Sequence, residues 1–373
     1  MHDAWQVGRL FGIPLRVHLS WLVVFGLVSW SLAAGYFPAQ LPDLPVWSYW
    51  VKAIVAAAMF FVSIVLHELG HSLVARHHGI GITSITLFVF GGVSQMKEEP
   101  RQPRQELQIA IVGPIISLGL AVLFGILAVL GETGGEPTTL RVVLSYLAAV
   151  NLLVAVFNML PAFPLDGGRI LRAVLWLRSG DRLRATTTAA RTGRGLALGL
   201  IALGILRLFA GNAFGVWLVL IGWFIMQAAG ASLAQASLRH ALGGLRVGDV
   251  MATEVKTVPA AATVHDLIED YFARYTYGGY PVVQDGGVVG LVTLRELRHT
   301  PAAARAATRV AQVMVPLEPH LVVDPATPVV DALDRMATGG ASRLVVLERQ
   351  RLVGLITANG IMHLTQVRSA LGG

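Results

Sequence analysis

Six long apolar stretches dominate the first two thirds of this chain, at about residues 14–34, 50–75, 107–130, 140–163, 195–210 and 213–234. A helix that crosses a bilayer needs about 20 mostly apolar residues. Hydrocarbon offers backbone groups no partner, so such stretches fold as helices. The fifth stretch is short and contains Arg207. The first is long and lacks a small-residue cleavage site, so it is expected to stay in the mature chain rather than leave as a signal peptide. Only 14% of the residues are charged, against about 25% in soluble chains, and the deficit lies before about residue 235. The pattern predicts a membrane α-helical domain over 1–235, with about six transmembrane helices, followed by a soluble domain over 245–373.

Charge gives the expected orientation. Arg9, Arg16, Arg76, Lys97, Arg101, Arg104, Arg169, Arg172, Arg178, Arg182, Arg184, Arg191 and Arg194 all lie before or at the very start of the first stretch, between the second and third, or between the fourth and fifth. The opposite connections, about 35–49, 131–139 and 211–212, hold no Lys or Arg. The positive-inside rule then puts the N-terminus, the 76–106 loop and everything after the sixth stretch in the cytoplasm of a multi-pass cell-membrane protein. The net charge of +7 reads as this topology signal and not as a nucleic-acid surface. With no cysteine, thiolate sites and disulfides are excluded, and any metal must be held by His, Asp or Glu.

The second stretch ends in His67-Glu68-Leu69-Gly70-His71. Residues four apart stack on one helix face, so His67 and His71 can offer both imidazoles to one metal ion. Glu68 is then free to take a proton from the attacking water and pass it to the leaving amine. In a soluble helix this pattern arises by chance about as often as not, but ionisable groups at membrane depth are costly and are kept for function. A tetrahedral zinc with one open position needs a third protein ligand. The fourth stretch ends in Asn158-Met159-Leu160-Pro161-Ala162-Phe163-Pro164-Leu165-Asp166-Gly167-Gly168-Arg169. Because the second and fourth stretches run in the same direction, Asp166 falls near the same membrane face as His71; on spacing alone, a cap for the next helix has equal weight.

Together with Gly113-Pro114-Ile115-Ile116-Ser117, these two motifs resemble the site-2 protease family, zinc enzymes that cut substrates within the membrane. The resemblance covers about residues 10–230. It implies one zinc ion per chain held by His67, His71 and Asp166, with Glu68 as general base. It also implies that Asn158 binds substrate and donates to the developing oxyanion, where a plain interhelical hydrogen bond is the alternative. Asn151 reads as such structural glue. Residues 83–96, with Phe90-Gly91-Gly92-Val93, are similar to the family's short sheet after the second helix. Gly91, Gly92 and Val93 would receive an unwound substrate by strand addition, or else the segment simply plugs the mouth of the site. Gly113 and Ser117 read as small residues that let helices approach. His18, His77 and His78 read as interfacial.

Beyond residue 245 a repeat appears. Val247-Gly248-Asp249-Val250-Met251 matches Val310-Ala311-Gln312-Val313-Met314, and Val289-Gly290-Leu291-Val292-Thr293 matches Val353-Gly354-Leu355-Ile356-Thr357. The units, about 245–303 and 308–370, include helix-like stretches near 263–275 and 328–338. They resemble a tandem pair of α/β CBS domains, which implies homodimerisation and adenine-nucleotide (ATP-type) sensing. Thr293 with Glu296, and Thr357, stand at the family's ribose-contact positions. Gly360 departs from the acidic residue expected there, which leaves a purely structural role with equal weight.

The reading is an intramembrane zinc metalloprotease acting on single-span membrane proteins among lipid and regulated by its CBS domains. A CBS-regulated transporter or channel is the rival, and it has no need of the His-Glu-x-x-His spacing. An inactive scaffold would not keep every catalytic position.

Overall fold

A computed structural model describes residues 4–89, 91–131, 138–275 and 277–370. The chain divides into two compact units, 1–234 and 235–373.

The first unit opens with a hairpin that the hydropathy pattern hides. Strands β1 (Ala4–Leu10) and β2 (Ile13–His18) turn about Phe11 and Gly12, both at positive φ. β2 then pairs in parallel with β3 (Ile82–Phe88), which pairs antiparallel with β4 (Gly91–Met96). The sheet order β1-β2-β3-β4 leaves β1 and β4 as its edges. The expected β element after the second helix is therefore only half of a four-stranded sheet. Residues 14–18, counted above with the first apolar stretch, form a strand: Ile13 turns inward, packing with Leu69 and Ile85, while Leu15 lies against that cluster. His18 caps the following helix by accepting from the Ser20 N–H at 3.2 Å.

Among the described residues, six helices are long and apolar enough to cross a membrane. Helix α1 (Leu19–Ser31), a π-helical turn and α2 (Phe37–Gln40) form the first span. The others are α3 (Val46–His77), α4 (Pro103–Leu130), α5 (Thr139–Asn158), α7 (Arg182–Phe209) and α8 (Gly215–Ala241). The short helix α6 (Asp166–Ser179) lies between α5 and α7. The fourth span stops at Asn158 rather than 163, because Pro161 and Pro164 cannot extend the hydrogen-bond ladder. The fifth starts at Arg182, well before 195, capped by the Asp181 carboxylate accepting from the Arg184 N–H at 2.9 Å. Residues 132–137 lie outside the described residues.

Side-chain placement is inverted relative to a soluble bundle. Small residues such as Ala53, Ala56, Ala57, Ala189, Ala190 and Ala197 are buried, while Leu123, Ile126, Leu153, Val156, Leu206 and Trp223 are exposed. That is the packing expected where lipid is the solvent and close helix approach supplies the attraction.

The second unit is two similar modules. In sequence the first repeat runs through α9 (Val247–Val250), β5 (Val258–Pro259), α10 (Val264–Asp266) continued by a π-helical turn, β6 (Gly279–Gln284), β7 (Gly287–Thr293) and α11 (Leu294–Leu297). The second repeat runs through α12 (Val310–Val313), β8 (Val315–Pro316), β9 (Val322–Val323), α13 (Val329–Gly339), β10 (Arg343–Glu348), β11 (Arg351–Thr357) and α14 (Ala358–Ala370). Each has a short strand parallel to a central one, and an antiparallel hairpin. There are two cores, around Val258, Leu267, Tyr280 and Val292, and around Val329, Met336, Leu344 and Ile356, and the repeats exchange elements: α12 and β8 join the first, while α9 joins the second.

Candidate metal centre

His67 and His71 lie one turn apart on α3, and both are buried. Their Nε2 atoms are 3.2 Å apart, and each lies against the same oxygen of Asp166, at 3.1 and 3.2 Å from Oδ2. Among the described residues this is the cluster of three His, Asp or Glu that can hold a metal ion. Zinc bonds of about 2.0–2.1 Å in tetrahedral array give ligand–ligand edges of about 3.3 Å, so the triangle fits such an ion.

The outer ring nitrogens prepare that face. His71 Nδ1 donates to the Ile109 carbonyl at 2.6 Å. A carbonyl only accepts, so the proton sits on Nδ1 and the Nε2 lone pair is left for metal. His67 Nδ1 pairs with Ser117 Oγ at 2.9 Å. Ile109, Gly113 and Ser117 lie along one face of α4. A Cβ at Gly113 would stand 2.3 Å from His71 Nε2 and 2.6 Å from His67 Nε2. Only glycine lets α4 approach the site this closely.

Asp166 starts α6 and is buried. The two glycines after it are equally constrained. A Cβ at Gly167 would meet the Met159 and Leu160 carbonyls, and one at Gly168 the backbone of Ala162 and Phe163. Gly193 of α7 closes on the same loop, 2.6 Å from the Phe163 carbonyl by the same measure. The loop 159–165 is thus clamped from both sides, which carries Asp166 to the histidines 95 and 99 residues earlier in sequence.

Glu68 points toward the edge strand, its Oε2 accepting from the Ser94 N–H at 3.1 Å. That amide is therefore not spent on β3, and in an antiparallel ladder every second amide faces the same way. Gly92 has no room for a Cβ, which would lie 2.6 Å from Glu68 Cγ. Gly91 and Val93 flank it on β4, while Phe90 lies outside the described residues. Asn158 ends α5, half-buried, with no side-chain hydrogen bond to another described residue. Asn151 donates to Ser63 Oγ at 3.2 Å, tying α5 to α3. The hydrogen bonds of Ser117, Ile109 and Ser94 escaped the sequence reading. Only the Gly113-to-Ser117 spacing hinted at one of them.

The positions weighed for nucleotide are engaged in local bonds. The Glu296 carboxylate accepts from the Thr293 N–H at 2.8 Å and from its hydroxyl at 2.5 Å, capping α11. Thr357 Oγ1 accepts from the Gly360 N–H at 3.0 Å.

A model of peptidase family M50 matches residues 55–136 and 135–202, and a CBS-domain model matches 247–302 and 310–365. The protein named zinc metalloprotease Rip3 of Mycobacterium tuberculosis is 40% identical over 98% of this chain and 94% of its own length. This chain belongs to peptidase family M50. Zinc metalloprotease MJ0392 of Methanocaldococcus jannaschii is 28% identical over 97% of this chain and 96% of its own. The solved site-2 protease from the same archaeon is 31% identical, covering 62% of this chain and 95% of its own, at a TM-score of 0.44. The M50 chain described here is a multi-pass membrane metalloprotease carrying a tandem CBS pair.

Proposed function

We propose that this protein hydrolyses peptide bonds of single-span membrane proteins within the bilayer, with a zinc ion held by His67, His71 and Asp166. The observation that carries the reading is the convergence of both Nε2 atoms and one Asp166 oxygen within 3.2 Å, with an outer hydrogen bond behind each imidazole. Zinc bound there would polarise the scissile carbonyl and acidify water.

The side chains supply the rest. Glu68, next to His67 in sequence, takes a proton from the attacking water and delivers it to the leaving amine. Asn158, with its amide unspent among the described residues, donates to the carbonyl oxygen as that oxygen gains charge. A substrate helix hides its peptide bonds and must be extended first. The free edge of β4 at Gly91, Gly92 and Val93 offers unpaired backbone for that purpose. Because Glu68 already rests on the Ser94 amide of the same edge, strand addition and the general base are neighbours. The arginine-rich loops support a cytoplasmic N-terminus and cytoplasmic CBS pair. The CBS pair, by family character, would dimerise and adjust cleavage to adenine nucleotide; ATP that altered neither cleavage nor the unfolding of this unit would remove that part.

The test is cleavage of a single-span reporter by the purified protein beside Glu68→Gln, with zinc assayed in both. A variant that keeps about one zinc but loses about 10²–10⁴ in rate is the expected result. A wild type without zinc would remove the metal assignment.

A further inference from the structure

One buried pair near the centre has no part in the chemistry above. Glu106 of α4 is wholly inaccessible and Arg172 of α6 is 9% exposed. Arg172 donates to Glu106 Oε1 from Nε at 2.7 Å and again from Nη2. Glu106 Oε2 is buried with no hydrogen-bond partner among the described residues. A pair built for stability would use both carboxylate oxygens, one per guanidinium N–H. Here both donors crowd one oxygen while the other is desolvated and unpaid, and burying two charges at all costs several kcal/mol, on the order of the attraction gained. The best-attested use of such a buried pair is to set a register.

The placement shows which register. Glu106 lies one turn before Ile109 on α4, and Ile109 is the residue whose carbonyl orients His71. Arg172 lies on the helix that begins with Asp166. Its guanidinium also sits over the Phe163 ring at 4.7 Å, in the loop that leads into Asp166. One face of α4 therefore grips the first two ligands, through Ile109 and Ser117, and through Glu106 grips the element that carries the third.

We infer that the Glu106–Arg172 pair is a positioning device that sets Asp166 against His67 and His71, with α4 as the common template. It touches neither substrate nor metal and acts only through the place of α6. This inference rests on the metal centre proposed above, and its test separates the two.

The measurement is zinc affinity of the purified full-length protein in detergent, by competition with a chelator, together with the visible spectrum of the cobalt-substituted protein. The Glu106→Leu/Arg172→Met double variant removes both charges and keeps apolar volume, so the helices are expected to stay packed. Its zinc affinity is expected to fall about 10–100-fold, as for other residues that orient ligands, with altered cobalt bands and an unchanged melting temperature. Arg172→Lys, which keeps the charge but loses the planar fork, is expected to fall between the two. Wild-type affinity and spectrum in the double variant would overturn the positioning role alone. If the double variant does not fold, wild-type affinity in Arg172→Lys overturns it. Should Asp166→Asn bind zinc as tightly as wild type, the metal centre itself fails, and the positioning role with it.

Discussion

Polar side chains inside the membrane unit and those of the soluble unit find their partners at very different sequence distances. In the first, His67 reaches Ser117 across 50 residues, Arg172 reaches Glu106 across 66, and Asn151 reaches Ser63 across 88. In the second, Arg246 with Asp249, Thr263 with Asp266, Thr293 with Glu296 and Arg309 with Gln312 each close over three residues to cap a helix. Lipid satisfies no donor or acceptor, so a polar group there must meet another span. At a water-exposed helix end the nearest side chain suffices. Damage should therefore travel far in one unit and stay local in the other.

Gly113→Ala should do most harm, since its Cβ would stand 2.3 Å from a ligand nitrogen. Zinc affinity is expected to drop about 100-fold or more, and a wild-type value from chelator competition would mean that α4 yields without disturbing the histidines. Ser117→Ala comes next, with about 10–100-fold weaker zinc from the loss of one outer hydrogen bond. Neither change should alter hydrogen exchange in the CBS modules. Thr293→Ala tests the other half: removing this cap should cost about 1 kcal/mol locally, read as faster exchange over 294–297, with reporter cleavage in the absence of nucleotide unchanged. A drop in that cleavage would show that local bonds in the soluble unit reach the site after all.

The smallest effect is one of pH. Hydrogen bonds from Thr263 hold the exposed Asp266 carboxyl below its ordinary value. A depressed carboxylate contributes stability above its unfolded pKa, near 3.9, and loses it as pH falls through the lower folded one. Protection of 264–266 against exchange, taken relative to the intrinsic rate at each pH, should fall below about pH 4, and Asp266→Asn should flatten that dependence.

Much of this contrast was legible in the residues. Apolar length and the absence of charge marked the six spans, because the bilayer fixes how many residues a crossing takes. The four-residue spacing of His67 and His71 follows the helix period. What stayed hidden depended on partners far off in sequence. The second strand of the N-terminal hairpin merged into the first apolar stretch, because Ile13, Leu15 and Val17 read equally well as the start of a span. Thr293 and Glu296 carry a pattern that serves a helix cap as readily as a ligand.

The amino-acid sequence alone determined the two-unit plan, the membrane spans, the fold class and the pair of histidines on one turn. These follow from local periodicity and from charge counted along the chain. Tertiary structure alone decided that α4 stands behind both imidazoles, that β4 offers its free edge to Glu68, and that Arg172 buries itself on Glu106. Those are choices of partner between segments 26 to 66 residues apart. Helix period names the face of each segment but not the face it meets, which only close packing of all the spans selects.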